Sequence, residues 1–179
     1  MKNSNTFCPF PWMHLHAWPA GKAMLCCVAH GGPNDGEIGD FSKNTYKEII
    51  NSDKLKEIRL DMLEGKEIPQ CVACTRAEEL GKDSLRLNMI NKYMGDIGPL
   101  IADTEEDGTL INPKMLYMDF RFSNLCNLGC QTCGSPLSST IANNRIDNSA
   151  ETEILKEKNV LSERGTITSF VYARPNFME

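Results

Sequence analysis

The sequence predicts an α+β fold in which a β-hairpin and short helices come first and a second, strand-led unit follows. Residues 12–18 alternate in side-chain character as a strand does, and residues 23–28 resume that pattern after a turn. Residues 52–65 instead space their apolar side chains along one face of a helix. An apolar run at residues 115–123 predicts a buried strand that opens the second unit.

The hairpin should bring two distant cysteines together. Residues 19–22, Pro-Ala-Gly-Lys, have turn chemistry and join the two strands. Cys8 precedes the first strand and Cys26 lies near the end of the second, so both should lie at the same end of the hairpin. Cys27 would point to the opposite face of its strand, and we interpret it as a core thiol. One face of the first strand is interpreted as a half-buried packing surface with no assigned ligand; it carries Trp12, His14, His16 and Trp18.

Capping residues set the predicted helix boundaries that follow. Thr45 and Glu48 resemble a capping box, which opens a short helix. Ser52 should cap the next helix, and Gly65 should end it. The tract 54–66 is predicted to be an ordinary solvated helix face.

Other segments give weaker signals. Residues 30–43 are rich in Gly and Asp and predict a loop, whereas residues 84–94 predict a helix that Gly95 ends. Residues 135–148 are compatible with a helix, and residues 166–172 are β-prone.

A linker is predicted between two domains. Residues 95–113 are rich in Gly, Pro and acidic residues, so we divide the chain into a domain at 1–94, this linker and a second domain at 114–179. Asp119 and Arg121 interrupt the otherwise apolar strand that begins the second domain.

Composition excludes several classes of function. The chain has 179 residues and a net charge of −5, and it lacks the basic surface that general nucleic-acid binding requires. No stretch approaches the ~20 apolar residues of a membrane span, and no secretory signal opens the sequence. We therefore expect a cytoplasmic protein, in which the eight cysteines bind metal rather than form disulfides.

The cysteines form two sets. The N-terminal set is Cys8, Cys26, Cys27, Cys71 and Cys74, and the second set is Cys126, Cys130 and Cys133 in a C-x3-C-x2-C spacing. Three thiolates on one loop can hold three irons of a cubane cluster and leave the fourth iron open for reaction. The spacing differs from the C-x2-C-x2-C run of ferredoxins.

The second set resembles the signature of the radical S-adenosylmethionine (SAM) superfamily. The similar segment runs from Asp119 through Cys126, Cys130 and Cys133 to Gly134, and it looks like the first strand and cluster loop of that family's partial (β/α) barrel. The resemblance implies that these three cysteines are catalytic and ligate a [4Fe–4S] cluster whose open iron binds SAM. It also implies reductive cleavage of SAM to a 5′-deoxyadenosyl radical.

The first set is similar to the twitch or SPASM-type auxiliary cluster modules of many such enzymes. Those modules contain an opening cysteine, a hairpin with G-x4-C (here Gly21 to Cys26) and a C-x2-C pair. The resemblance implies a second [4Fe–4S] cluster held by Cys8, Cys26, Cys71 and Cys74, and the small number of cysteines favours the twitch form. It also implies a peptide substrate and an electron donor such as a flavodoxin or ferredoxin. The module usually follows the barrel, whereas here it precedes it.

Two alternatives remain open at the level of sequence. Four thiolates also suit structural zinc, so a non-catalytic zinc-binding interaction module is the second hypothesis. Electron transfer without SAM is the third.

Only a short stretch follows Cys133, whereas a full eight-unit barrel needs ~250 residues, and the family's Gly-Gly-Glu segment is not found. We therefore expect the chain to be the N-terminal part of a longer enzyme.

Overall fold

The described residues form one four-stranded sheet with helices packed around it. The computed structural model describes residues 6–29, 36–144 and 178. In chain order the elements are α1 (Phe10–Met13), β1 (His14–Ala17), β2 (Lys22–Met24), β3 (Glu37–Asp40), α2 (Tyr46–Ile50), α3 (Asp53–Glu64), a 3₁₀ turn (Pro69–Cys71), α4 (Val72–Glu79), α5 (Leu85–Lys92), α6 (Met94–Ala102), β4 (Tyr117–Phe120) and α7 (Ser139–Asn144). The strand order across the sheet is β3-β2-β1-β4.

The predicted hairpin is confirmed, with shorter strands. β1 and β2 pair antiparallel, with His16 opposite Met24. Gly21 makes the turn at a positive φ of 93°, and its amide donates to the Trp18 carbonyl over 2.8 Å. The predicted strand 12–18 is wrong at its start, because Pro9 and Pro11 begin the single helical turn α1 there. The predicted strand 23–28 is wrong at its end, since β2 stops at Met24.

A third strand lies where a loop was predicted. β3 pairs antiparallel with β2, and the Lys22 amine contacts the Glu37 carboxylate across the pair at 2.7 Å. Ile38 is buried, which explains why the chain forms a strand despite its Gly and Asp content. The loop prediction for 30–43 is therefore wrong at β3, and residues 30–35 of that prediction lie outside the described residues.

The fourth strand joins the hairpin from the far side of the predicted linker. β4 pairs parallel with β1, with His16 opposite Asp119. Helix α6 begins one residue before the predicted linker 95–113 and runs into it, and an isolated bridge between Thr104 and Leu110 follows. The sheet thus continues across the predicted boundary. The division into 1–94, 95–113 and 114–179 stays a prediction, and most of the chain after residue 144 lies outside the described residues.

The strand predicted over 115–123 is shorter and more exposed than expected. Only Tyr117–Phe120 forms β4, and Met118 is 57% exposed. The reason is its position, because among the described strands β4 has a neighbour on one edge alone. By contrast, every residue of β1 is buried. Its two histidines are therefore core residues, and the half-buried surface predicted for them is wrong.

Helix capping agrees with the sequence at Thr45 and differs at Ser52. The Thr45 hydroxyl accepts from the Glu48 amide, while the Glu48 carboxylate accepts from the Thr45 amide, which confirms the capping box. Ser52 does precede α3, yet its hydroxyl makes no capping hydrogen bond. Gly65 ends α3 in the left-handed conformation at φ 80°.

The predicted helix over 84–94 forms with a different end. Ser84 caps α5 by accepting from the Leu87 amide. Tyr93 separates α5 from α6, and α6 runs through Gly95, so the prediction that Gly95 ends a helix is wrong. α7 lies inside the predicted 135–148 helix, while residues 145–148 and the β-prone stretch 166–172 lie outside the described residues.

One residue of α3 contradicts the predicted solvated face at 54–66. Arg59 is fully buried, and its guanidinium donates to the carbonyls of Pro11 (2.8 Å), Gly108 (2.7 Å) and Ile50. It also donates to the side-chain oxygen of Asn51 at 3.4 Å. Arg59 therefore links three separate stretches of backbone, at Pro11, Ile50 and Gly108. Among the described helices, none combines the length and the apolar character that a bilayer crossing demands.

Candidate functional site

Four cysteines from three segments line one cavity. Cys8 comes just before α1, and Cys26 follows β2. Cys71 ends the 3₁₀ turn and Cys74 lies in the first turn of α4, so the C-x2-C spacing places both at one helix end. The cavity is small, about 20 Å³, and its lining also includes Phe10, Val28, Gln70, Leu85 and Arg86.

The hairpin explains why Cys8 and Cys26 meet. The antiparallel pairing of β1 and β2 returns the chain to the end where β1 began, as the sequence predicts. Cys27 does not line this cavity and is exposed in the turn after β2, so its interpretation as a core thiol is wrong. It differs from Cys26 because the strand has already ended, and not because the two alternate across a sheet.

Burial keeps these thiols protonated unless a cation compensates for their charge. Burial is the main cause that raises the pKa of Cys8 well above its usual value. Burial likewise raises the pKa of Cys26 to about 12, and burial together with the neighbouring Cys74 raises that of Cys71 to about 11. A bound cationic group reverses this balance, since metal ligation requires and stabilises the thiolate.

The donor set of the cavity fits an iron–sulfur cluster. Four sulfurs with mainly apolar neighbours match the four-thiolate ligation of [4Fe–4S] clusters. In a cubane each thiolate binds a different iron, whereas around zinc all four sulfurs lie about 2.3 Å from one ion. Among the described residues, no group of three or more His, Cys, Asp or Glu side chains is arranged to hold a single metal ion.

The second cysteine set lies on a loop that α7 closes. The Cys126 amide donates to the Ser139 hydroxyl at 3.2 Å, and the Thr140 hydroxyl donates to the Cys126 carbonyl at 2.7 Å. The Ser139 amide donates to the carbonyl of the buried Asn124 at 2.7 Å. These contacts fix both ends of the loop between β4 and α7.

The three cysteines of this loop are more accessible than the first set. Cys130 is exposed, and Cys126 and Cys133 are half-buried. The Cys133 amide donates to the Cys130 carbonyl at 3.0 Å, which forms a tight turn between them. The loop leaves the carboxyl end of β4, whereas Cys8 lies before the amino end of β1. Because β1 and β4 are parallel, the two cysteine sets lie toward opposite ends of the sheet.

A polar pair joins β1 to β4: His16 is buried, and Asp119 is partly exposed. The His16 Nδ1 atom is 2.9 Å from a carboxylate oxygen of Asp119, and Arg121 contacts the same oxygen at 3.4 Å. The Arg121 guanidinium also lies over the Trp18 ring, 4.8 Å from its centre. These contacts account for the two charged residues in the predicted strand. Burial lowers the pKa of His16 although Asp119 opposes that effect.

Sequence reasoning missed the charged residues nearest the four-cysteine cavity. Arg86 lines it, and Arg86 forms an ion pair with Glu78. The two residues lie on different helices, eight positions apart, so no helical spacing connects them. The one signal in the sequence was Arg86 itself, a charged residue on an otherwise apolar face of the predicted helix 84–94.

A comparison with protein families supports the first site. Residues 8–75 match the SPASM family model, described as an iron–sulfur cluster-binding domain. The matched segment begins at Cys8 and ends one residue after Cys74, so it contains all four cavity cysteines. The match supports iron–sulfur cluster binding by this part of the chain. Neither curated proteins nor solved structures gave a match to the sequence.

Proposed function

We propose that this chain is a radical SAM enzyme, or the N-terminal part of one, with two cluster sites. Cys8, Cys26, Cys71 and Cys74 would hold an auxiliary [4Fe–4S] cluster, and the single observation that carries this assignment is their convergence on one cavity inside the SPASM-matched segment. The C-x3-C-x2-C loop would hold a second cluster and bind SAM.

The two sites suit different roles. A [4Fe–4S] cluster with an open iron supplies the electron for reductive cleavage of SAM to a 5′-deoxyadenosyl radical. The protein's part at this loop is to orient the ligands, which the hydrogen bonds of Ser139 and Thr140 to Cys126 do. The exposure of Cys130 leaves that site open to a small molecule, whereas the four-cysteine cavity is closed in by its apolar lining.

The remaining parts of the proposal rest on the family resemblance. A peptide is the proposed substrate class, and a flavodoxin or ferredoxin is the proposed electron donor. We also place the protein in the cytoplasm, because a reducing compartment keeps eight cysteines available as ligands.

The first experiment measures iron, acid-labile sulfide and zinc per chain after anaerobic reconstitution with all three present. Two cubanes correspond to about eight irons and eight sulfides per chain. Replacing Cys71 and Cys74 by alanine should remove about half of each, as should replacing Cys130 and Cys133. Cys27→Ala is the matched control, since this cysteine is exposed outside the cavity and should change nothing. Zinc without sulfide would show that the enzyme proposal is wrong.

A second experiment separates the two sites by their response to SAM. The electron paramagnetic resonance signal of the reduced protein should change when SAM is added, because SAM binds the open iron. That change should disappear in Cys130→Ala and persist in Cys74→Ala. A signal that ignores SAM in the wild-type protein would favour simple electron transfer.

A further inference from the structure

One arginine lies against the four cysteines of the cavity. Arg86 is the second residue of α5, is only 7% exposed, and lines the cavity with Cys8, Cys26, Cys71 and Cys74. A buried guanidinium is costly unless hydrogen bonds and an opposite charge compensate for its lost hydration.

The guanidinium donates to three acceptor atoms on two residues. Its Nε donates to one carboxylate oxygen of Glu78 at 2.9 Å, and its Nη2 donates to the other oxygen. Its Nη1 donates to the Phe7 carbonyl at 3.0 Å. The Ser84 hydroxyl donates to Glu78 as well, so the carboxylate is held from two sides. Such forked ion pairs fix geometry as well as charge.

These partners belong to the segments that carry the cavity cysteines. Phe7 immediately precedes Cys8, and Glu78 lies one helical turn after Cys74 on α4. Arg86 therefore connects the start of the chain to α4 across more than seventy residues of sequence. The guanidinium thus bridges the Phe7 carbonyl and the α4 carboxylate.

The arginine also brings positive charge to the cavity. Arg86 lines the cavity together with the cysteines, Cys71 among them. Burial opposes ionisation of Glu78, yet the hydrogen bonds from Arg86 and Ser84 hold the pKa of that carboxyl below its usual value. Glu78 forms an ion pair with Arg86, and Arg86 is the partner of the pair that lines the cavity.

We propose that Arg86 is a positioning residue of the four-cysteine site, which holds the Cys8 segment against α4 and places a positive charge beside the bound cluster. This inference rests on the proposed function, because it assumes that the site binds a cluster. Each electron that enters a four-thiolate cluster adds negative charge, so a nearby cation stabilises the reduced form and raises the reduction potential.

The test uses the full chain with Cys126, Cys130 and Cys133 each replaced by alanine, so that only the four-cysteine site can load. Arg86→Met should fail to load or should lose iron to a chelator about tenfold faster, as is typical for outer partners of metal ligands. The cluster that remains should have a lower midpoint potential. Arg86→Lys keeps the positive charge but cannot make the forked pair of hydrogen bonds to Glu78. Its midpoint potential should therefore lie close to that of the parent, whereas its iron should still be lost to the chelator faster than from the parent.

The control is Arg76→Met, which removes an exposed arginine from the same helix as Cys74. It should match its parent in iron content, rate of iron loss and potential. The proposal is overturned if Arg86→Met also matches the parent in all three.

The test also allows for a variant that does not fold and for a parent that does not bind a cluster. If metal-free Arg86→Met is unfolded by circular dichroism, Glu78→Gln replaces it, because that variant weakens the ion pair while keeping the side-chain size. Glu78→Gln should then lose iron faster than the parent, and an unchanged rate overturns the proposal.

If the parent itself takes up no sulfide, the proposed function is wrong and this proposal is overturned with it. A loaded parent with unaffected variants instead disproves the role of Arg86 alone.

Discussion

At the scale of single residues, the buried histidines of β1 link folding to pH. His14 lies in the core, and its Nδ1 contacts the Tyr117 carbonyl at 3.0 Å. Because a carbonyl only accepts hydrogen bonds, Nδ1 carries the proton. Its other nitrogen has no hydrogen-bond partner among the described residues. Burial lowers the pKa of His14 to about 4, although the Tyr117 carbonyl opposes this effect.

This shift predicts acid destabilisation. Above the unfolded pKa of about 6.5, His14 is neutral in both states and stability does not depend on its titration. As pH falls from 6.5 to 4, the unfolded chain binds a proton that the folded chain excludes, which should cost about 3 kcal/mol. His14→Gln removes this titration and retains a donor for the Tyr117 carbonyl. Its free energy of unfolding, measured by urea denaturation, should fall less steeply over this pH range than that of the wild type. An unchanged slope would contradict the assignment.

Arg59 should stabilise the fold through its four acceptors. Burial lowers its pKa to about 10, so it is charged at neutral pH. Arg59→Met leaves buried carbonyl oxygens without donors and should cost about 3 kcal/mol or more. Arg76→Met, at an exposed helical position, should change stability by less than about 0.5 kcal/mol. Thermal denaturation of both variants measures the difference, and equal shifts would show that the Arg59 contacts contribute little.

At the scale of elements, the two predicted caps differ in a way that mutation can detect. Thr45→Ala removes a capping box and should cost about 1 kcal/mol. Ser52→Ala should be neutral or slightly stabilising, because the buried Ser52 hydroxyl has no hydrogen-bond partner among the described residues. Denaturant titration of the two variants compares them directly. A larger loss for Ser52→Ala would show that its hydroxyl has a partner in solution.

The elements that were predicted correctly have local signals. The hairpin follows from alternation and a Gly turn, and the capping box follows from two residues three apart. β3 and α6 lack such signals. Burial of Ile38 and pairing with β2 make β3 a strand, and these are long-range contacts that no sequence window contains. Likewise α6 tolerates Gly95, Gly98 and Pro99 because Ile97 and Leu100 are buried.

The sequence likewise predicts only the part of the candidate site that local signals define. Cysteine spacing and hairpin topology were enough to group Cys8 with Cys26, and the cavity agrees. The exposure of Cys27 depends on where β2 ends, which the sequence does not define. The Arg86–Glu78 pair depends on how α4 and α5 pack together, so it could be found only in the structure.

At the scale of the whole molecule, the sheet joins the two regions that carry the cysteine sets. The Tyr117 ring stacks on Phe10 with ring centres 5.5 Å apart, and Phe10 lines the four-cysteine cavity. β4 also covers the edge of β1, where the buried His14 and His16 lie. The four-cysteine region therefore depends on residues that come after the predicted linker.

This dependence predicts the outcome of truncation. A chain that ends at residue 113 lacks β4, so it exposes the β1 edge and the Phe10 ring and should lose its cooperative thermal transition. A chain that ends at residue 144 keeps β4 and α7 and should unfold at a higher temperature. Circular dichroism measures both transitions, and iron retention after reconstitution reports on the cavity. If the shorter chain melts as the longer one does and retains the iron of the four-cysteine site, residues 1–113 fold independently and β4 is dispensable for that site. Loss of the thermal transition and of this iron in the shorter chain alone would mean that the four-cysteine site needs β4, because β1 lies between β2 and β4 in the sheet.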